Sequence, residues 1–188
     1  DREQQAALRR LLETLLEGGS AEETLTRYLG ILLSNSWLGI ADKGAIFLME
    51  KNGQGLRLAA SRNLEPETLT TCAHVPLGHC HCGRAATRNE LQYTPCVDRH
   101  HETTCIAMDD HGHYHMPLLS QGHAIGVLML YLTPACPRDA RTEAFITSVA
   151  NILVTYIGRV EAEQALIEHQ ANLEQRVRQQ TAELVENQ

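Results

Sequence analysis

Between Cys72 and His115 the chain gathers five of its six cysteines and eight of its ten histidines. Cys80 and Cys82 form a C-x-C, Cys96 follows, His100 and His101 come four and five residues later, and His111, His113 and His115 alternate along one run. Thiolate sulfur and neutral imidazole nitrogen are the atoms zinc takes in four-coordinate sites, and the same residue types hold iron–sulfur clusters. The expected cofactor is therefore zinc or iron–sulfur. Cys80, Cys82, Cys96 and His115 are the candidate ligands, with His101 and His113 as replacements or outer partners. A thiol just ahead of a helix feels its amides and dipole, which favour thiolate. The spacing is not that of a standard zinc finger. Two other readings stay open: thiol redox chemistry, or buried cysteines acting as small hydrophobes beside a solvated histidine loop.

The surrounding pattern shows which elements must place these residues. Leu8, Leu11, Leu12, Leu15 and Leu16 recur at helical spacing, and Gly18-Gly19 ends that helix. Ser20 with Glu23 reads as a capping box opening a second helix to about Ser36. Strands over 45–50 and 56–61 flank Asn52-Gly53, a strong hairpin signal. A short helix over 64–70 and a brief strand over 73–75 follow, then a turn, a helix over 82–88 and a strand over 91–95. From Cys96 to His111 the expectation is an irregular polar loop rich in ligand-type residues. Two last strands, 114–119 and 124–132, turn at Gln121-Gly122. Along the first of them, period-two alternation sends residues 113 and 115 to one face. From Arg138 onward the pattern is helical, with an apolar face through Phe145, Val149, Ile152, Leu153, Tyr156, Ile157 and Val160. Leu173, Val177 and Leu184 then form a narrow coiled-coil seam. A helix of about 50 residues exceeds the needs of one small domain, so its far end is expected to pair with a second copy. Cys136, His169, His74 and His123 read as incidental or surface residues.

Composition bounds the rest. The 188 residues carry 43% hydrophobic and 21% charged side chains, the balance of a globular protein. A net charge of −7 without any Lys/Arg block argues against nucleic acid as partner. No apolar run approaches the roughly 20 residues that span a bilayer, and no signal peptide is evident. A cytoplasmic location without membrane contact is expected. The chain opens on Asp1 and is expected to be a piece of a longer protein.

The order of two helices, a hairpin, a ligand-rich middle, two strands and a long helix resembles the GAF family over residues 20–160. The run Gly122-His-Ala-Ile-Gly-Val-Leu-Met-Leu-Tyr131, with Pro117-Leu118 ahead of it, is similar to that family's signature strand. The resemblance implies an α+β fold: a central antiparallel sheet of about six strands, one face under the first and last helices, and a long C-terminal coiled-coil helix. It also implies a small-molecule or metal ligand beneath a roof formed by residues 72–113. The segment from Cys80 through Cys96 to His113 resembles a subset of sensor GAF domains. The end of the chain, Leu173-Glu-Gln-Arg-Val-Arg-Gln-Gln-Thr-Ala-Glu-Leu184, resembles the linker before histidine kinase, diguanylate cyclase or PAS modules. The implied organisation is a dimerisation helix over 1–19, a sensory domain over 20–160 and a signalling linker over 161–188. A homodimer through the terminal helices and a covalently linked output domain are the implied partners. The cyclic-nucleotide signature of the family is absent from the sequence. Cys72 to Gly83 also resembles the free methionine-(R)-sulfoxide reductases, GAF-fold enzymes. That resemblance implies catalytic cysteines at Cys72, Cys82 and Cys105 and a substrate-amine carboxylate at Asp109 or Asp110.

Overall fold

The computed structural model describes residues 2–102, 110–133 and 136–186, with side chains to residue 182. Helix α1 (Arg2–Leu16) leads to α2 (Ala21–Leu33). Ser20 caps α2 as the sequence requires: its hydroxyl accepts from the Glu23 amide, and its own amide donates to the Glu23 carboxylate. A 3-10 turn (Ser36–Leu38) precedes β1 (Ile40–Met49) and β2 (Gly55–Arg62). Next come α3 (Pro66–Thr71), β3 (His74–Pro76), α4 (Cys80–Arg88) and β4 (Gln92–Thr94). Strands β5 (Gly112–Ser120) and β6 (His123–Leu132) precede α5 (Ala140–Glu186).

The six strands form one antiparallel sheet in the order β3-β2-β1-β6-β5-β4. Alternation divides its side chains between two cores. Ile46, Leu128 and Leu130 are buried on one face, where a Cβ added at Gly44 would meet both Leu33 of α2 and Leu130. Tyr28 of α2 is fully buried and donates its hydroxyl to the Val149 carbonyl of α5, 3.0 Å away. α2 packs on β1 and β2, and α1 packs on α2, with Ala7, Leu11 and Leu15 of α1 buried. The opposite face buries Ala45, Phe47, Val127, Met129 and Tyr131 against Cys80, Cys82, Ala85 and Ala86 of α4. Burial of these side chains stabilises α4 on the sheet at ~25 cal/mol per Å² of apolar surface.

Two compact units divide within α5, at Val154 and Thr155. In the second unit Leu166, Ile167, Leu173 and Val177 are exposed. Arg159–Glu163 and Arg178–Glu174 are i,i+4 pairs along its surface. Leu184 lies outside the residues whose side chains are described. No helix among the described residues is long and apolar enough to cross a membrane.

Candidate metal centre

Three segments bring the ligand-type residues together. The first is α4, which starts at Cys80 rather than at Cys82, so the C-x-C lies inside its first turn. Gly83 allows this turn to abut the end of β3: a Cβ there would stand 2.3 Å from the Pro76 carbonyl oxygen. The second is the turn at residues 98–101, built around Asp98. Its carboxylate accepts the His100 amide at 2.9 Å and pairs with His81 Nε2 at 2.8 Å, while its carbonyl accepts the His101 amide at 3.0 Å. The third is the start of β5. Gly112 lies so near β4 that a Cβ would fall 2.6 Å from the Thr94 carbonyl oxygen, while the imidazoles on either side of it meet Tyr131 on the roofed face. There His113 pairs with Thr94 and Tyr131, and His115 with Gln92 and Met129.

Among the described residues the result is a cluster of six imidazoles, from His81, His100, His101, His111, His113 and His115. His111 and His113 stand 4.5 Å apart between ring centroids, His101 and His113 5.4 Å, and His101 and His111 5.6 Å. One ring nitrogen from each of these three lies within 4.8 Å of the others. A tetrahedral ion with Zn–N bonds near 2.05 Å places ligand ring centroids about 5.2 Å apart, inside the observed range. His115 continues the cluster, 5.0 Å from His113 and stacked 5.3 Å from His81. His113 is 1% exposed and has no hydrogen-bond partner at either ring nitrogen. His115 is equally buried and its Nδ1 has no partner.

Burial first, and then the neighbouring imidazoles, push the pKa of His113 and of His115 well below the ordinary value. Both rings are therefore neutral and able to donate lone pairs at pH 7. Asp98 is the fixed counter-charge. Burial would raise its pKa, but the His100 amide and His81 outweigh that and hold it at about 2.

The thiols occupy different ground. Cys80 and Cys82 belong to the apolar cluster with Phe47 and Met129, Cys72 packs against that cluster, and Cys82 Sγ lies 3.8 Å from Met129 Sδ. Burial raises the Cys82 pKa well above its ordinary value, and the Cys80 and Cys72 thiols add to the rise. The expected lowering by the helix start is thus reversed for Cys82, because desolvation of a fully enclosed thiolate outweighs a partial dipole. Cys96 is exposed, beyond β4. Of the six candidate ligands, His101, His113 and His115 lie in the imidazole cluster, Cys80 and Cys82 in the apolar one, and Cys96 in neither. His111, grouped with His113 and His115 in the sequence but not named as a ligand, and His81 also belong to this cluster. The alternation His111-Gly-His113 was the available signal for the first; for the second there was none, since only the fold carries α4 to β5.

No protein-family model and no curated protein matches the sequence. Solved structures do. The GAF domain of a Coxiella burnetii phosphoenolpyruvate-protein phosphotransferase superposes with a TM-score of 0.71 at 18% identity, covering 86% of this chain and 96% of that one. The GAF domain of the corresponding Acinetobacter protein gives 0.69 at 17% identity, with the same shares of the two chains. This chain has the GAF fold.

Free methionine-R-sulfoxide reductase from Neisseria meningitidis, solved with its substrate, is also similar: TM-score 0.65 at 19% identity, covering 81% of this chain and 87% of that one. Within the GAF fold the imidazole cluster sits on the sheet face that α4 and the 98–101 turn cover. Of the residues implied by likeness to the reductases, Cys72 and Cys82 share the apolar cluster. Asp110 accepts the Val97 amide at 2.9 Å. Cys105 and Asp109 lie outside the described residues.

Proposed function

We propose that this chain is a sensory GAF module whose pocket holds one divalent transition-metal ion through His101, His111 and His113. The single observation that carries the reading is His113: a ring 1% exposed, with both nitrogens unpartnered. A buried polar atom without a partner costs about 1–3 kcal/mol, and a metal–nitrogen bond removes that cost for one of the two. His115 and His81 stand behind the three ligands, with His81 held by Asp98. An all-nitrogen set suits zinc, nickel, cobalt or copper(II) and disfavours an iron–sulfur cluster, whose iron takes mostly thiolate. This moves the ligand set away from Cys80, Cys82 and Cys96 and toward the imidazoles. The ion would tie the 98–101 turn to β5. The occupied and empty pockets would then favour different packings of the terminal helices, in a cytoplasmic homodimer joined to a histidine kinase, diguanylate cyclase or PAS output domain.

Elemental analysis and an absorption spectrum of protein purified without oxygen test this. About one metal per chain is expected by the one-site reading, lost in His113→Ala and kept in Cys96→Ser. Metal-free protein, or a brown iron–sulfur spectrum, overturns it.

A second reading, sulfoxide reduction, draws support from the similar reductase structures and from Cys72 and Cys82 sharing one cluster. In it a cysteine thiolate attacks the sulfoxide sulfur, the protonated sulfoxide oxygen leaves as water, and a second cysteine thiol displaces the thioether to close a disulfide, which thioredoxin reduces. NADPH consumption through thioredoxin on free methionine sulfoxide, abolished in Cys82→Ser, would establish it. The raised Cys82 pKa disfavours Cys82 as the attacking thiolate and leaves that part to another cysteine.

A further inference from the structure

Glu102 sits at a junction that the ligand set alone does not explain. One carboxylate oxygen accepts the Cys80 amide at 2.5 Å, and the other accepts Arg84 Nη2 at 2.7 Å. Arg84 uses its second terminal nitrogen, Nη1, to donate to the His100 carbonyl at 3.0 Å. His79 adds a third contact, 3.2 Å from the Glu102 carboxylate. The guanidinium and the amide hold the Glu102 carboxyl at about 2, so it is charged at neutral pH. These bonds join the first turn of α4 to both ends of His101. The carbonyl before His101 is held by Arg84, and the residue after it is Glu102 itself.

The anchored turn is a strained one. Cys80 has φ +52, the left-handed region, although it is not glycine. A side-chain-bearing residue stays there only when its surroundings fix it, and such outliers gather where function needs preset geometry. Glu102 fixes this one by engaging the Cys80 amide.

We infer that Arg84 and Glu102 are positioning residues of the metal centre: together they clamp the main chain on either side of His101 to α4 and so preset His101 against His111 and His113. The inference rests on the metal reading above. His113 needs no such device, because the β4–β5 pairing holds it, and His111 stands only two residues before it. His101 comes from an irregular turn, and without the clamp it pays its own ordering entropy on binding. Partners that orient ligands in this way alter metal affinity by about 10–100-fold when removed. Cys80 enters through its main chain alone, so its thiol is dispensable.

The test is cobalt(II) titration of the metal-stripped full chain, read by ligand-field absorption. Wild type, Arg84→Met, Glu102→Gln, the double variant, Arg84→Lys and Cys80→Gly are compared. Each of the two single variants should weaken cobalt binding about 10–100-fold with band positions unchanged, since the three nitrogens remain the same. The double variant should be no weaker than the weaker single one, because both residues serve one clamp. Arg84→Lys keeps the charge beside Glu102 but loses the fork to His100, and should fall between wild type and Arg84→Met. Cys80→Gly relieves the left-handed residue and should bind at least as tightly as wild type. Singles that bind like wild type, a double variant that loses the product of the two effects, or a Cys80→Gly variant that loses cobalt would each overturn the inference. A wild-type chain that binds no cobalt defeats the metal reading itself. Wild-type binding with unaffected variants defeats the clamp alone.

Discussion

Replacing His113 with leucine should stabilise the metal-free protein and destabilise the metal-loaded one relative to wild type. The ring is 1% exposed, and both of its nitrogens lack partners. Leucine fills nearly the same volume without polar atoms. Removing unsatisfied buried groups returns about 1–3 kcal/mol. Against this stands the contact with the Tyr131 ring, 4.2 Å away and T-shaped, whose aromatic component is worth about 0.5–1.5 kcal/mol. The balance is a gain of about 1 kcal/mol, or a rise in Tm of about 2–4 °C for a chain of this size. With zinc at 100 times its Kd, wild type gains about 2.7 kcal/mol and the variant gains nothing. The order of the two melting curves therefore reverses between chelator and zinc. Calorimetry or fluorescence melting in each buffer reads it directly. A variant that melts below wild type in chelator, or two proteins that rise equally with zinc, would refute the argument.

Acid should weaken the metal-free protein below the ordinary imidazole pKa. His113 and His115 have folded values below their unfolded ones, so the unfolded chain takes up protons first. Stability is full above about pH 6.5 and falls with decreasing pH, by about 1.4 kcal/mol per unit for each ring; urea midpoints in EDTA at pH 7.5, 6 and 5 measure it, and a flat profile contradicts it. Cys82→Ser should cost about 1–3 kcal/mol by placing a hydroxyl in the apolar cluster, with cobalt binding unchanged; loss of cobalt would return Cys82 to the ligand set. Leu173→Asp with Val177→Asp should convert a dimer to a monomer by sedimentation at tens of micromolar, since both positions are exposed and fall on the expected seam; a wild-type monomer under the same conditions removes the seam.

Where local chemistry decides the structure, the sequence could be read directly. Ser20 and Glu23 cap α2 from both sides, and Asn52-Gly53 turns the first hairpin, because these preferences need no distant partner. β1 begins at Ile40, five residues earlier than the apolar pattern allows. Asp42 and Lys43 make that stretch look like a loop, yet they pair across to Arg62 and Glu65. The site was harder to read, for the same reason. Its residue types were visible, but His81 meets His115 only through the placement of α4 on the sheet. The division of thiols from imidazoles follows from which residues α4 turns inward, and the reversal of the Cys82 thiolate expectation follows from its depth. Neither quantity exists in a linear spacing.

The strand order also sets the chain-entropy cost of each pairing during folding. β1 meets β6 at the centre of the sheet, with Leu48 opposite Gly126, while each hairpin on either side closes a short loop. Closing a loop of about 80 residues costs about 2.5 kcal/mol more in chain entropy than closing one of about five. The β5–β6 hairpin can therefore form before the two halves join, and it already carries His113, with His111 just ahead of the strand and His101 ten residues further upstream. If the pocket takes a metal ion as proposed, its capture needs only one half of the sheet. An ion present during refolding should raise the folding rate more than it lowers the unfolding rate, because its ligands come together ahead of the central pairing.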